Sequence, residues 1–102
     1  MPTTDYKTGL VRRLADPKYA AGYLNAAAAE GEETFLLAIR DVVEAQGGMA
    51  ALAANTGLHR VTLYRLLSSK GNPTLTSLSA IMRAVGMELT CRPASRPRKN
   101  AA

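Results

Sequence analysis

The stretch "AANTGLHRVTLYRLLSSKGNPT", residues 53–74, decides the fold of this chain. Glycines at positions 57 and 71 break regular structure at its two ends, and between them lies one run of helical length that mixes apolar and cationic residues. The inner, apolar stripe of this run comprises Leu66, Leu67 and either Val61 or Leu63. The polar edge opposite the stripe is the part of the chain to test for binding chemistry.

A second short helix is predicted directly before this run, in "MAALAAN", residues 49–55. The turn between the two helices is "TGL", in which Gly57 can adopt the positive φ that a tight turn requires. Ala53 is small enough to let the two helices cross closely, and Leu58 can enter the core just after the turn. This spacing is that of a helix-turn-helix unit, which presents its second helix to the major groove of DNA.

With Leu63, Leu66 and Leu67 facing inward, helical geometry places a set of polar and small apolar side chains on the outer edge of the second helix. The set comprises Arg60, Val61, Thr62, Tyr64 and Arg65. Arginine can donate two hydrogen bonds to guanine, a valine or threonine methyl can contact a thymine methyl, and hydroxyl groups can bind bases or phosphates. We therefore predict that these residues contact DNA.

Contacts to the sugar-phosphate backbone are predicted just beyond this helix. Lys70 and Asn72 lie in the loop, and Thr74 begins the next helix, whose first peptide N–H groups favour anions.

The distribution of charge supports a polyanionic partner. The whole chain carries a formal net charge of +5, but residues 1–44 sum to −2, whereas residues 45–87 hold four basic residues and no carboxylate. A cationic face on a helix is usually just solvated, and an ordinary helical bundle is the alternative interpretation. The coincidence of the helix-turn-helix spacing with this carboxylate-free segment favours DNA binding.

The rest of the chain predicts a single all-α domain, because 102 residues can close only one modest core. One helix follows Asp16 as its cap and Pro17 as its first residue, and a second, in "TFLLAIRDVVEAQGG", is capped by Thr34. Thr74 caps a third, "LTSLSAIMRAV". The segment "GLVRRLA", residues 9–15, is predicted to be a short turn or an extended arm.

A short strand is predicted after the last helix, because Met87, Leu89 and Cys91 alternate with polar residues. A single strand leaves its backbone groups unpaired, so we predict that it forms a dimer interface with the same strand of another subunit. The predicted organisation is an N-terminal arm and extra helix (1–33), a helix-turn-helix domain ending in the strand (34–92) and a mobile basic tail (93–102).

Several classes of function are disfavoured. One cysteine and one histidine provide neither an intramolecular disulfide nor a cysteine-clustered zinc site, and no phosphate-binding loop or nucleotide-binding glycine motif occurs. We predict no catalytic residues, no metal and no cofactor. The lone cysteine suits a reducing cytoplasm, and no window reaches the roughly 18 apolar residues that span a bilayer.

A family resemblance sharpens these predictions. Residues 48–89, "GMAALAANTGLHRVTLYRLLSSKGNPTLTSLSAIMRAVGMEL", resemble the DNA-binding domain of the lambda repressor and Cro class, also called the XRE type. Together with "LADPKYAAGYLNAA" and "FLLAIRDVVEAQGGMAALA", the match over about residues 10–92 resembles the addiction module antidote proteins, a HigA-like group of bacterial antitoxins.

The resemblance implies a five-helix lambda-repressor-like domain that binds an inverted-repeat operator as a homodimer, represses its own operon and neutralises a RelE- or ParE-like toxin. The chain departs from the class at two positions. Met49 stands where a glutamine often contacts the DNA backbone, so the resemblance places Met49 among the backbone contacts. His59 stands where serine or threonine often caps the recognition helix, so His59 is expected to cap through its ring or to meet a phosphate. Two alternatives stay open: a stand-alone XRE-type regulator, or a module that masks a toxin without specific DNA binding.

Overall fold

The computed structural model describes residues 2–94, with side chains from Tyr6 onward. Those residues form six α-helices and no strand. The helices are α1 (Pro2–Leu14), α2 (Pro17–Glu30), α3 (Glu32–Ala45), α4 (Gly48–Thr56), α5 (Arg60–Leu66) and α6 (Leu75–Ala84). The all-α prediction is confirmed for this part of the chain, and no helix in it is long and apolar enough to cross a bilayer.

Helix α1 corrects the prediction of a turn or extended arm at residues 9–15. The sequence there is unpromising for a helix because Gly9 lowers intrinsic helix propensity. Tertiary packing outweighs this preference: Leu14 is completely buried, and Leu10 packs against the same core. Burial of these leucines against α2 and α3 stabilises a helix that propensity alone does not indicate.

The start of α2 agrees with the prediction, whereas that of α3 does not. The Asp16 carboxylate accepts a hydrogen bond from the Tyr19 N–H at 3.2 Å, and Pro17 is the first helical residue. Helix α3 begins at Glu32, two residues before the predicted Thr34 cap, because Gly31 adopts φ 133° and its carbonyl already accepts from Phe35 N–H at 3.0 Å.

Helix α3 is the centre of the core. It contacts α1, α2 and α4, and it contributes five of the buried apolar side chains. These five are Leu36, Ala38, Ile39, Val42 and Val43. The Gln46 amide at its end donates to the Val85 carbonyl at 3.1 Å and so ties α3 to the end of α6. All the buried side chains form one cluster, which holds α4 and α5 in a fixed position.

The predicted strand at residues 87–92 is not found; residues 87–94 have no regular secondary structure. The Met87 N–H donates to the Met82 carbonyl at 2.8 Å, and its side chain packs against the core, so this residue completes the end of α6. Leu89 is 46% exposed and Cys91 is an exposed free thiol. Alternation in sequence alone does not make a strand where no neighbouring backbone is present. Most of the predicted basic tail, residues 95–102, lies outside the described residues.

Candidate nucleic-acid interface

Helices α4 and α5 are joined by a three-residue turn, Gly57 to His59. Gly57 adopts φ 77° and ψ 4°, and its N–H donates to the Ala53 carbonyl at 2.9 Å. The Thr56 hydroxyl donates to the Leu52 carbonyl at 2.8 Å and accepts from Leu58 N–H at 3.2 Å. A side chain at position 57 would be strained in this left-handed conformation, so the turn between the two helices favours glycine there.

The exposures of the α5 side chains confirm the prediction that Leu63 faces the core and Val61 faces outward. Leu63 and Leu67 are completely buried, and Leu66 is half-buried, whereas Val61 is 79% exposed. Leu63, not Val61, therefore anchors the helix. Because the Val61 side chain is not buried in the monomer, it adds little to the stability of the fold and is available to contact a partner.

The outer face of α5 collects the predicted contact residues. Arg60, Val61, Tyr64 and Arg65 are exposed, and Thr62 is half-buried. Within the part of the chain whose side chains are described, neither Arg60 nor Arg65 forms an ion pair; the ion pair found there joins Lys7 to Glu44 at 3.8 Å, on α1 and α3. The two guanidinium groups can therefore donate to a partner without first breaking an internal salt bridge.

His59 precedes α5 but does not cap it with its side chain. Its backbone is extended, with φ −69° and ψ 146°, and its carbonyl accepts the Leu63 N–H at 3.0 Å. No ring nitrogen bonds to the helix N-terminus, so the predicted capping role of the imidazole is wrong. The ring is exposed beside the N-terminal end of the helix.

Met49 is one of the predicted contacts to the DNA backbone, but its position in the structure does not suit that role. It is only 6% exposed and forms part of the core. A long apolar side chain in the first turn of α4 gains more by packing between the helices than by facing water. The structure thus removes Met49 from the surface that could touch a polyanion.

Gly71 fixes the loop after α5. A Cβ atom at this position would overlap the Leu66 carbonyl and crowd that of Arg65, so only glycine allows the loop to pass so close to the helix end. Lys70 and Asn72, on either side, are exposed. The Thr74 side chain accepts from Ser77 N–H at 3.1 Å and caps α6, as predicted. The loop therefore carries a cation and an amide close to the C-terminal end of α5.

Arg40 is a residue that the sequence analysis missed. Its guanidinium carbon lies 5.2 Å from the centre of the Tyr64 ring, within the range of a cation–π contact between α3 and α5. Arg40 and Tyr64 line a common depression with Glu44, whose carboxylate pairs with Lys7. Positions 40 and 64 are remote in sequence and Arg40 lies in the acidic half, so no local pattern could have joined them.

The described residues contain no group of three or more histidine, cysteine or acidic side chains placed to hold a metal ion. The outer face of α5 exposes hydrogen-bond donors, positive charge and a valine side chain.

Comparison with known proteins finds a matching family and a relative. Residues 6–93 match the family described as "probable addiction module antidote protein". An uncharacterized protein of Haemophilus influenzae is 34% identical over 67 residues, which cover 65% of this chain and 68% of that protein. No solved structure matches the chain.

Proposed function

Since this chain belongs to the family of probable addiction module antidote proteins, we propose that it neutralises a RelE- or ParE-like toxin and, as a homodimer, represses its own operon by binding an inverted-repeat operator. The observation that supports the DNA-binding part of this proposal is the outer face of α5. That face exposes two arginines and a valine, and no carboxylate of the described residues pairs with either arginine.

In the proposed complex α5 is the recognition helix and enters the major groove. Arg60 and Arg65 donate to guanine O6 and N7, and the Val61 methyls contact a thymine methyl. Thr62 and Tyr64 supply hydroxyl groups, and the Arg40 guanidinium, stacked on the Tyr64 ring, holds this ring in place. Leu63 and Leu67 keep the helix seated in the core while its outer face is occupied.

Phosphate contacts come from the flanks of α5. The exposed His59, Lys70 and Asn72 approach the sugar-phosphate strands, and the N-terminus of α6 after Thr74 directs peptide N–H groups towards a phosphate. These contacts position the protein without reading sequence.

The proposed dimer closes through the segment after α6. Met87 lies against the core, while Leu89 and Cys91 are exposed on backbone without regular secondary structure. Two recognition helices held in this way would enter successive major grooves about one helical turn, roughly 34 Å, apart.

A salt titration tests the DNA-binding half. Fluorescence anisotropy would compare a duplex from upstream of the chain's own operon with a scrambled duplex of equal length between about 50 and 200 mM salt. We expect steep loss of affinity with salt, since each neutralised phosphate contributes about −0.9 to the logarithmic slope. A flat response would favour a module that only masks a toxin.

Three variants separate reading from positioning. Arg60→Ala and Arg65→Ala should each reduce discrimination between operator and scrambled duplex by about 5- to 150-fold, which corresponds to roughly 1–3 kcal/mol. Lys70→Ala should weaken both duplexes alike, and Arg12→Ala, an exposed cation on α1, is the matched control. Equal losses on both duplexes for Arg60→Ala and Arg65→Ala would contradict base reading.

A further inference from the structure

A groove of about 300 Å³ lies between α2 and α3, away from the outer face of α5. Its lining combines small apolar residues with a few polar ones. The lining residues are Tyr23, Ala26, Ala27, Glu30, Thr34, Leu37, Ala38 and Asp41. The alanines make the floor shallow and smooth, so that a side chain from outside can lie between the two helices.

Leu37 is the feature of this groove that monomer stability does not explain. The other large aliphatic side chains of α3 face the core and are nearly fully buried, whereas Leu37 is 40% exposed. An isolated exposed leucine is common on protein surfaces. Here, however, it stands in the wall of a groove, where an apolar partner could contact both the leucine and the alanine floor.

The charge of the groove is negative. Glu30 and Asp41 are its charged lining residues, and none of its lining residues is a lysine or arginine. The Asp41 carboxylate accepts a hydrogen bond from the Tyr23 hydroxyl at 2.6 Å, which holds one side of the groove in shape. Glu33, one helical turn before Leu37, is exposed and adds to the negative potential.

We propose that this groove is where the toxin docks, through a segment that places an apolar side chain against Leu37 and a lysine or arginine beside Glu30 and Asp41. The inference rests on the proposed function for its premise that the partner is a toxin. The groove anchors a larger contact, because a stable interface covers roughly 800 Å² on each partner.

The position of the groove also separates toxin from DNA. Arg40 contacts Tyr64 on α5, whereas the next residue, Asp41, contacts Tyr23 on α2, so the two surfaces flank α3 on different sides. DNA itself is a poor occupant of the groove, because its phosphates would be repelled by two carboxylates. Docking of a cationic segment here would leave the outer face of α5 uncovered.

The test uses the full chain and the purified product of the open reading frame adjacent to its gene, with binding measured by calorimetry. Leu37→Glu should weaken binding about 30-fold or more, the loss typical of a central interface residue. Glu30→Lys should weaken it about 5- to 10-fold at low salt and less at high salt, as expected for a charge pair near the solvent. Each variant should retain wild-type binding to operator duplex, which shows that it is folded.

Two matched controls carry the same changes outside the groove. Leu75→Glu alters an apolar residue of α6 that is 73% exposed, and Glu32→Lys reverses an exposed carboxylate that does not line the groove. Both should bind the adjacent product within about twofold of wild type.

Three results would overturn the inference. If Leu37→Glu and Glu30→Lys bind the product like wild type, the groove is not the docking site, and the antitoxin function stands. If the chain without toxin sediments as a dimer and Leu37→Glu converts it to a monomer, the groove is occupied by a second copy of the chain instead of the toxin. If wild-type protein does not bind the product at all, the proposed toxin neutralisation fails together with the groove.

Discussion

Replacing Leu63 and Val61, two residues apart on α5, should separate folding from binding. Leu63 is completely buried and Val61 is 79% exposed. Leu63→Ala deletes three buried carbon atoms at about 0.8 kcal/mol each, or about 2.4 kcal/mol, and the residual cavity adds about 1 kcal/mol. Val61→Ala deletes two methyl carbons that are already in water, and its effect on the free energy of unfolding should stay within about 0.5 kcal/mol.

Urea unfolding followed by circular dichroism measures these differences. A domain of this size unfolds with roughly 5–15 kcal/mol, so a loss of about 3.4 kcal/mol shifts the midpoint clearly. In the DNA assay the order reverses: Val61→Ala should lower affinity for an operator with thymine under the helix, although the protein is as stable as wild type.

The reasoning would be refuted if Val61→Ala destabilised the fold as much as Leu63→Ala, since Val61 would then be a core residue. It would also be refuted if neither Val61→Ala nor Arg60→Ala changed the stability of the protein or its affinity for any duplex. In that case the outer face of α5 would not be a binding surface.

Three other changes have expected outcomes. Gly71→Ala should lower the free energy of unfolding by roughly 1–3 kcal/mol, because its Cβ would overlap the Leu66 carbonyl and the loop must move; a thermal melt would show it. Tyr23→Phe should cost about 1 kcal/mol in urea unfolding by removing the hydrogen bond to Asp41. Burial and this hydrogen bond raise the pKa of Tyr23, so the folded chain keeps a proton that the unfolded chain releases above about pH 10. The free energy of unfolding of the wild type should therefore fall as the pH rises above about 10, and that of Tyr23→Phe should fall less. An equal decline in both proteins would contradict the raised pKa of Tyr23. Leu89→Asp should shift the sedimentation coefficient from dimer to monomer if the segment after α6 is the interface, whereas an unchanged value would place the dimer contact elsewhere.

The sequence by itself determined most of the helices and the residues on the outer face of α5. Capping by Asp16 and Thr74 and the turn at Gly57 follow from local rules, although the same capping rule was wrong at Thr34, because α3 already begins at Glu32. The apolar stripe of α5 was also readable, because helical periodicity and burial agree there. With Leu63 placed inward, the same periodicity turns Val61 outward, and the exposures of the two side chains agree with that placement.

Tertiary structure decided what depends on partners remote in the chain. Packing of Leu14 made a helix of a segment whose glycine argues against one, and the core withdrew Met49 from the surface. The contact of Arg40 with Tyr64 and the groove beside Leu37 arise only when separate helices meet. The strand prediction was wrong because it also depends on a remote partner. Alternation indicates which side chains would face a sheet, but the sheet itself requires a second backbone that the described chain does not supply.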